Sequence, residues 1–143
     1  MKIKVKKLDS KAIIPRYASE GSSGLDLYSI EECRVNPGEI KLIPTGISIE
    51  IPDGYEGQIR PRSGIASKYG ITIINTPGTI DSDYRGELKL AIINLSKTPY
   101  SIHIHDRLAQ LVISPVVKVD IEEVNELSET QRGKNGFGST GGF

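Results

Sequence analysis

The sequence predicts an all-β protein. Fifteen glycines and eight prolines punctuate its 143 residues at short intervals. Between them lie short segments rich in Ile and Val whose apolar residues alternate, and only one stretch carries the marks of a helix. Alternation with period two puts successive side chains on opposite faces, so such segments read as half-buried strands. Many short strands set apart by turns favour a sandwich, a jelly roll or a closed barrel.

The first alternating segment is Ile3-Lys4-Val5, and the second is Gly46-Ile47-Ser48-Ile49-Glu50-Ile51. Next come Ile71-Thr72-Ile73-Ile74 and Glu87-Leu88-Lys89-Leu90-Ala91-Ile92-Ile93, then Ser101-Ile102-His103-Ile104 and Val116-Val117-Lys118-Val119. Asn36-Pro37-Gly38, Pro52-Asp53-Gly54 and Thr76-Pro77-Gly78 supply turns between them. The one helical stretch is Ser63-Gly64-Ile65-Ala66-Ser67-Lys68-Tyr69-Gly70, with Ser63 as the expected N-cap and Gly70 as the glycine that ends it. Asp106 to Ile113 has good helix formers, but its length and the Ser114-Pro115 stop suit a strand.

Residues 1–124 are expected to form one β domain. From 125 to 143 the chain is polar, and five of the last eleven residues are glycine, so this part reads as a flexible tail. Within it, Arg132 to Gly141 combines a guanidinium, an aromatic ring, hydroxyls and mobile backbone, parts suited to closing over a phosphorylated ligand. Its spacing is not that of a P-loop.

Bulk properties exclude several classes. A chain of this size buries about 70% of its unfolded surface, enough for a core without metal or disulfide. Eighteen basic and eighteen acidic side chains give zero net charge, which argues against a nucleic-acid-coating protein. The longest apolar runs are three or four residues, far below the ~20 a membrane helix needs, and the basic N-terminus lacks the apolar core of a signal peptide. The single cysteine, Cys33, rules out an intrachain disulfide and fits a reducing, cytoplasmic setting.

His103 and His105 are the only histidines, two residues apart in a strand pattern, and too few for a structural zinc site. Carboxylates offer more. Asp81 and Asp83 lie in a segment bounded by Pro77-Gly78 and Gly86, where a hairpin is expected between strands near Ile71–Asn75 and Glu87–Ile93. The hairpin alone does not choose between the two aspartates. A second polar cluster, Arg60-Pro61-Arg62-Ser63-Gly64, falls at a strand-to-helix junction and suits an anion.

Five segments, in order, change the reading: Ser23-Gly24-Leu25-Asp26-Leu27-Tyr28; Pro61-Arg62-Ser63-Gly64; Gly78 to Gly86; Asp106-Arg107-Leu108-Ala109-Gln110-Leu111; and Arg132-Gly133 through Gly136-Phe137-Gly138-Ser139-Thr140-Gly141. The chain resembles the trimeric dUTP pyrophosphatases, or dUTPases, in all five family motifs and over nearly its whole length. Ser23 stands where the family usually has Ala, and His105 where it usually has Gly.

The resemblance implies a jelly-roll-like, distorted β barrel with one short helix, assembled as a homotrimer whose three sites are shared between chains. It implies hydrolysis of dUTP to dUMP and pyrophosphate, which lowers dUTP and supplies dUMP for thymidylate synthesis. By motif match, Asp81 is the general base for water attacking the α-phosphorus. Tyr84 packs on the deoxyribose and leaves no room for a 2′-hydroxyl. Asn75, six residues before Asp81, meets the uracil edge, and Thr79, Ile80 and Lys89 complete the base pocket. Arg62, Ser63, Gly64 and Gln110 match the phosphate contacts. In the tail, Arg132 would clamp the terminal phosphate, Phe137 stack on uracil, and Gly138, Ser139 and Thr140 close over the ligand. Mg²⁺ is expected on the phosphates and water, without a direct protein ligand, with Asp26 reaching it through water and Asp106 pairing with an arginine. A dCTP deaminase of related fold would need an extra acid–base group, usually a glutamate. Glu87 is the only one nearby, and the Ile80-to-Tyr84 pattern favours the dUTPase.

Overall fold

The computed structural model describes residues 1–142. Eleven strands and one helix follow in order: β1 Lys4–Lys7, β2 Leu25–Tyr28, β3 Cys33–Val35, β4 Ile40–Pro44, β5 Ile47–Glu50, β6 Tyr55–Pro61, α1 Ser63–Tyr69, β7 Ile71–Ile73, β8 Gly78–Ile80, β9 Lys89–Asn94, β10 Tyr100–Ile102 and β11 Arg107–Pro115. They form four antiparallel sheets: β1-β5, β10-β3, β2-β11-β6-β8 and β4-β9-β7. The wall is therefore a distorted, jelly-roll-like barrel and not one continuous ladder.

Alternation builds the core. In β9, Leu90, Ile92 and Asn94 are fully buried, while Lys89, Ala91 and Ile93 are not. Leu27, Val35, Ile43, Ile71, Leu88 and Leu108 complete the centre. The buried amide of Asn94 is satisfied on both sides. Its Nδ2 donates to the carbonyls of Val35 and Thr98 at 2.9 and 2.8 Å, and its Oδ1 accepts from Ser96. Burial without those partners would cost about 1–3 kcal/mol.

Several sequence expectations are corrected. Ser63 is the first helical residue, and Arg62 holds the N-cap position without a side-chain capping bond. Gly70 does end the helix, at φ 65°, with its N–H donating to the Ala66 carbonyl. Strand β10 stops at Ile102, so His103 and His105 lie in a turn, with His105 at φ 69°. That left-handed position explains how a glycine would sit there more easily. Among the described residues Asp106 pairs with no arginine; its Oδ2 accepts the His103 N–H at 2.8 Å. Val116–Val119 is extended chain outside any sheet.

The expected hairpin is real but interrupted. Strands β7 and β9 pair, Ile71 opposite Asn94 and Ile73 opposite Ile92. Between them the chain leaves that sheet, adds β8 to the edge of β6 with Gly57 opposite Ile80, and returns. The Asp81–Glu87 segment is therefore anchored to two different sheets.

Candidate active site

Strand β8 and the start of β9 enclose a cavity of about 250 Å³, lined by Thr79, Ile80, Asp81, Tyr84, Glu87, Leu88 and Lys89. Ile80 is buried and fixes the floor, whereas Asp81, Tyr84 and Lys89 are exposed on the rim. A second, wider hollow of about 590 Å³ shares Thr79 and Asp81 and continues past Ser82 and Asp83 to Val116 and Lys118. Asp81 thus stands on the ridge between two open spaces. Asn75 lies beside Gly78 in the turn that leads into β8: a Cβ on Gly78 would be 3.3 Å from Asn75 Nδ2.

The segment holds its shape through its own backbone. Tyr84 N–H donates to the Asp81 carbonyl at 3.1 Å. Arg85 Nη1 donates to the carbonyls of Ser82 and Tyr84 at 2.7 and 3.1 Å. Its other terminal nitrogen lies 3.7 Å from Glu50 Oε1. Glu50 also meets Lys4 at 3.0 Å, and that hydrogen bond holds its carboxyl below the usual range. Glu87 Oε2 accepts the Gly46 N–H at 3.0 Å, so its carboxylate is tied to the barrel wall.

A second cluster forms where β2, β6 and β11 pair. Register sets Gln110 opposite both Asp26 and Arg60. Asp26 is only 6% exposed. Its carboxylate lies between two arginines, 3.7 Å from Arg62 Nε and 3.4 Å from Arg107 Nη1. Arg62 also donates to the Arg107 carbonyl at 3.0 Å. These bonds hold the guanidinium beside exposed Ser63 and Gly64. Arg107, Arg85 and the anchoring role of Glu87 were missed from sequence, although Arg107 and Arg85 both lie inside the five segments.

The two clusters remain separate in one chain. None of Arg62, Ser63, Gly64 and Gln110 lines the Asp81 cavity. The tail joins neither: among the described residues its hydrogen bonds from Arg132 onward run within the tail, such as Arg132 Nε to the Asn135 carbonyl at 2.8 Å. Phe137 is fully exposed at φ 54°, and Gly138 also has positive φ. Ser139 and Thr140 are exposed in the last turns. Among the described residues no group of three or more His, Cys, Asp or Glu gathers as a metal-ligand set.

A family model described as dUTPase matches residues 10–141. The deoxyuridine 5'-triphosphate nucleotidohydrolase of Trichodesmium erythraeum is 60% identical over 141 residues, covering 99% of each chain. That of Nautilia profundicola is 58% identical with the same coverage. The solved structure of the Staphylococcus bacteriophage 80alpha dUTPase with dUpNHpp superimposes with a TM-score of 0.91 at 31% identity, over 98% of each chain. A mutant dUTPase from S. aureus phage phi11, described with a structural Mg(II) ion, gives a TM-score of 0.84 at 28% identity over 90% of this chain and 100% of that one. Sequence and fold agree across nearly the whole length, and the chain belongs to the dUTPase family.

Proposed function

We propose that the chain hydrolyses dUTP to dUMP and pyrophosphate, with Asp81 as the base that takes a proton from water as it attacks the α-phosphorus. The carrying observation is the cavity that puts the Asp81 carboxylate on the same rim as Tyr84, Thr79, Ile80 and Lys89. Its size suits a nucleoside base and sugar better than a triphosphate. A carboxylate at its mouth is placed to act on the phosphate that follows the sugar. In that reading the Tyr84 ring lies against the deoxyribose, and Asn75 presents an amide, both donor and acceptor, to the uracil edge. Glu87 Oε2 accepts the Gly46 N–H, which ties the nearby glutamate to the barrel wall and favours the hydrolase over a dCTP deaminase.

Arg62, Ser63, Gly64 and Gln110 would receive the phosphates, and Arg132, Phe137, Gly138, Ser139 and Thr140 would close over them. Because the first group is not on the Asp81 cavity, a complete site calls for more than one chain, and a homotrimer with three shared sites supplies it. Two features support this. Val117, Val119 and Ile121 are 85%, 70% and 86% exposed on one alternating stretch, apolar surface that lacks a partner within the chain. The 17 residues from Val116 to Arg132, fully extended, span about 55–60 Å, enough to reach a neighbouring barrel.

The residues present fit a magnesium ion carried on triphosphate oxygens and water, a mode that needs few protein ligands. Asp26, engaged by two arginines, would meet it only through water. Bound there, the ion would offset negative charge on the phosphates. Asp26 meanwhile orients Arg62, and Arg62 neutralises phosphate charge from the protein side.

The test is pyrophosphate release from dUTP, dTTP, dCTP and UTP by the purified chain. Strong preference for dUTP is expected. Ammonia from dCTP, or no turnover of any of the four, would overturn the assignment.

A further inference from the structure

Gly86 has neither positive φ nor a turn that demands glycine, yet a side chain there meets an obstacle. A Cβ built on it would lie 2.3 Å from the Tyr84 hydroxyl oxygen, 2.5 Å from Cζ and 2.9 Å from Cε1. Real Cβ atoms do not approach that closely, so any larger residue must move the ring. The ring is exposed and is held at its hydroxyl end. Tyr84 Oη donates to the Glu87 carbonyl at 2.9 Å. That carbonyl is held by its neighbours: the Glu87 carboxylate accepts from Gly46 N–H, Leu88 N–H donates to the Ile47 carbonyl at 2.9 Å, and the Leu88 side chain is fully buried.

We infer that Gly86 is a positioning residue for sugar selectivity: its missing side chain is the space that lets the Tyr84 ring rest on the Glu87 carbonyl at the mouth of the cavity. The inference rests on the proposed reading that Tyr84 faces the sugar of dUTP. Filling the space displaces the ring from the cavity rim, and a 2′-hydroxyl then finds room. Gly86 itself touches no substrate; it acts only through Tyr84.

The experiment measures kcat/KM for dUTP and UTP in the full chain and in Gly86→Ala, Tyr84→Ala and Tyr84→Ala/Gly86→Ala. Gly86→Ala should lower the dUTP-to-UTP ratio by about tenfold, the low end of what one misplaced small group costs in a shaped pocket. Once the ring is gone, adding Gly86→Ala should change the ratio no further. A merely structural role would lower both substrates alike, or act equally with and without the ring; either result overturns the inference. Should Gly86→Ala alone fail to fold, folding of the double variant supports the clash with the ring, and failure of both counts against it. If the unmodified chain prefers dUTP but Tyr84→Ala keeps full selectivity, the sugar-facing reading of Tyr84 falls and this inference falls with it.

Discussion

The side-chain amide of Gln110 donates to the carbonyl oxygen of Pro61, 3.0 Å away. That bond joins the fourth motif to the second and holds the backbone one residue before Arg62. Gly24 of the first motif closes the same junction: a Cβ there would lie 2.6 Å from Gln110 Oε1 and 2.8 Å from its Cβ. Gly24→Ala should therefore push Gln110 off Pro61. Losing one hydrogen bond of about 1 kcal/mol predicts a rise in KM for dUTP of about fivefold. Steady-state kinetics beside a denaturation curve separate this from general unfolding; an unchanged KM would show that the Pro61 contact does not set Arg62.

Asp81→Asn keeps shape and removes the base. Turnover should fall by about a hundred- to ten-thousandfold, the usual contribution of a positioned general base, with dUTP affinity little changed. Single-turnover kinetics with a binding isotherm read the two apart. Near-normal kcat would remove Asp81 from the chemistry.

Truncation before Arg132 should abolish most turnover and leave the thermal transition in place. Among the described residues from Arg132 onward, the hydrogen bonds run within the tail, including Gly133 N–H to Thr130 Oγ1 at 3.0 Å, and none belongs to the core. Thermal melting and sedimentation of the truncated chain are the checks. A lost transition would make the tail part of the fold.

Cys33 is expected to be chemically quiet. Burial pushes its thiol above the ordinary value, reinforced by Glu31 and Glu39 and opposed by Lys41. The thiolate is the reactive form, so alkylation should be slow at neutral pH and speed up only well into the alkaline range. Mass spectrometry after iodoacetamide treatment across pH measures this, and Cys33→Ser should hydrolyse dUTP at the unmodified rate.

Alternation in the sequence found β1, β5, β7, β9 and β10, because each carries β-branched or Leu residues on its inward face, whereas β11 was assigned from its length and the Ser114-Pro115 stop. It missed β2, β3, β4, β6 and β8. In β6 the inward positions are Gly57 and Ile59, and Gly57 is small because a Cβ there would lie 2.9 Å from Leu111 Cδ1. A strand whose inward face includes a glycine has no hydrophobic signature. The departure of β8 to a second sheet is equally invisible, since strand partners are chosen by the whole fold. Of the site, motif matching named the residues, but the bracketing of Asp26 by Arg62 and Arg107 depends on strand register, which sequence spacing does not encode. Val116–Val119 alternates like a strand but joins no sheet: Val116 N–H donates to the Gly54 carbonyl at 2.9 Å, Val117 to Val119 are exposed, and the expected half-buried strand does not form.

Phe137 stands bare in the tail, and the chain contains no tryptophan. Phe137→Trp would thus place a lone indole at the one aromatic position expected to cover the nucleotide, and excitation beyond the absorption of the six tyrosines would single it out. Its colour would report the surroundings directly, red-shifted while the ring meets water and blue-shifted when something apolar shields it. A non-hydrolysable dUTP analogue titrated against that signal would turn a glycine-rich terminus into an optical gauge of how often, and how fast, the tail closes.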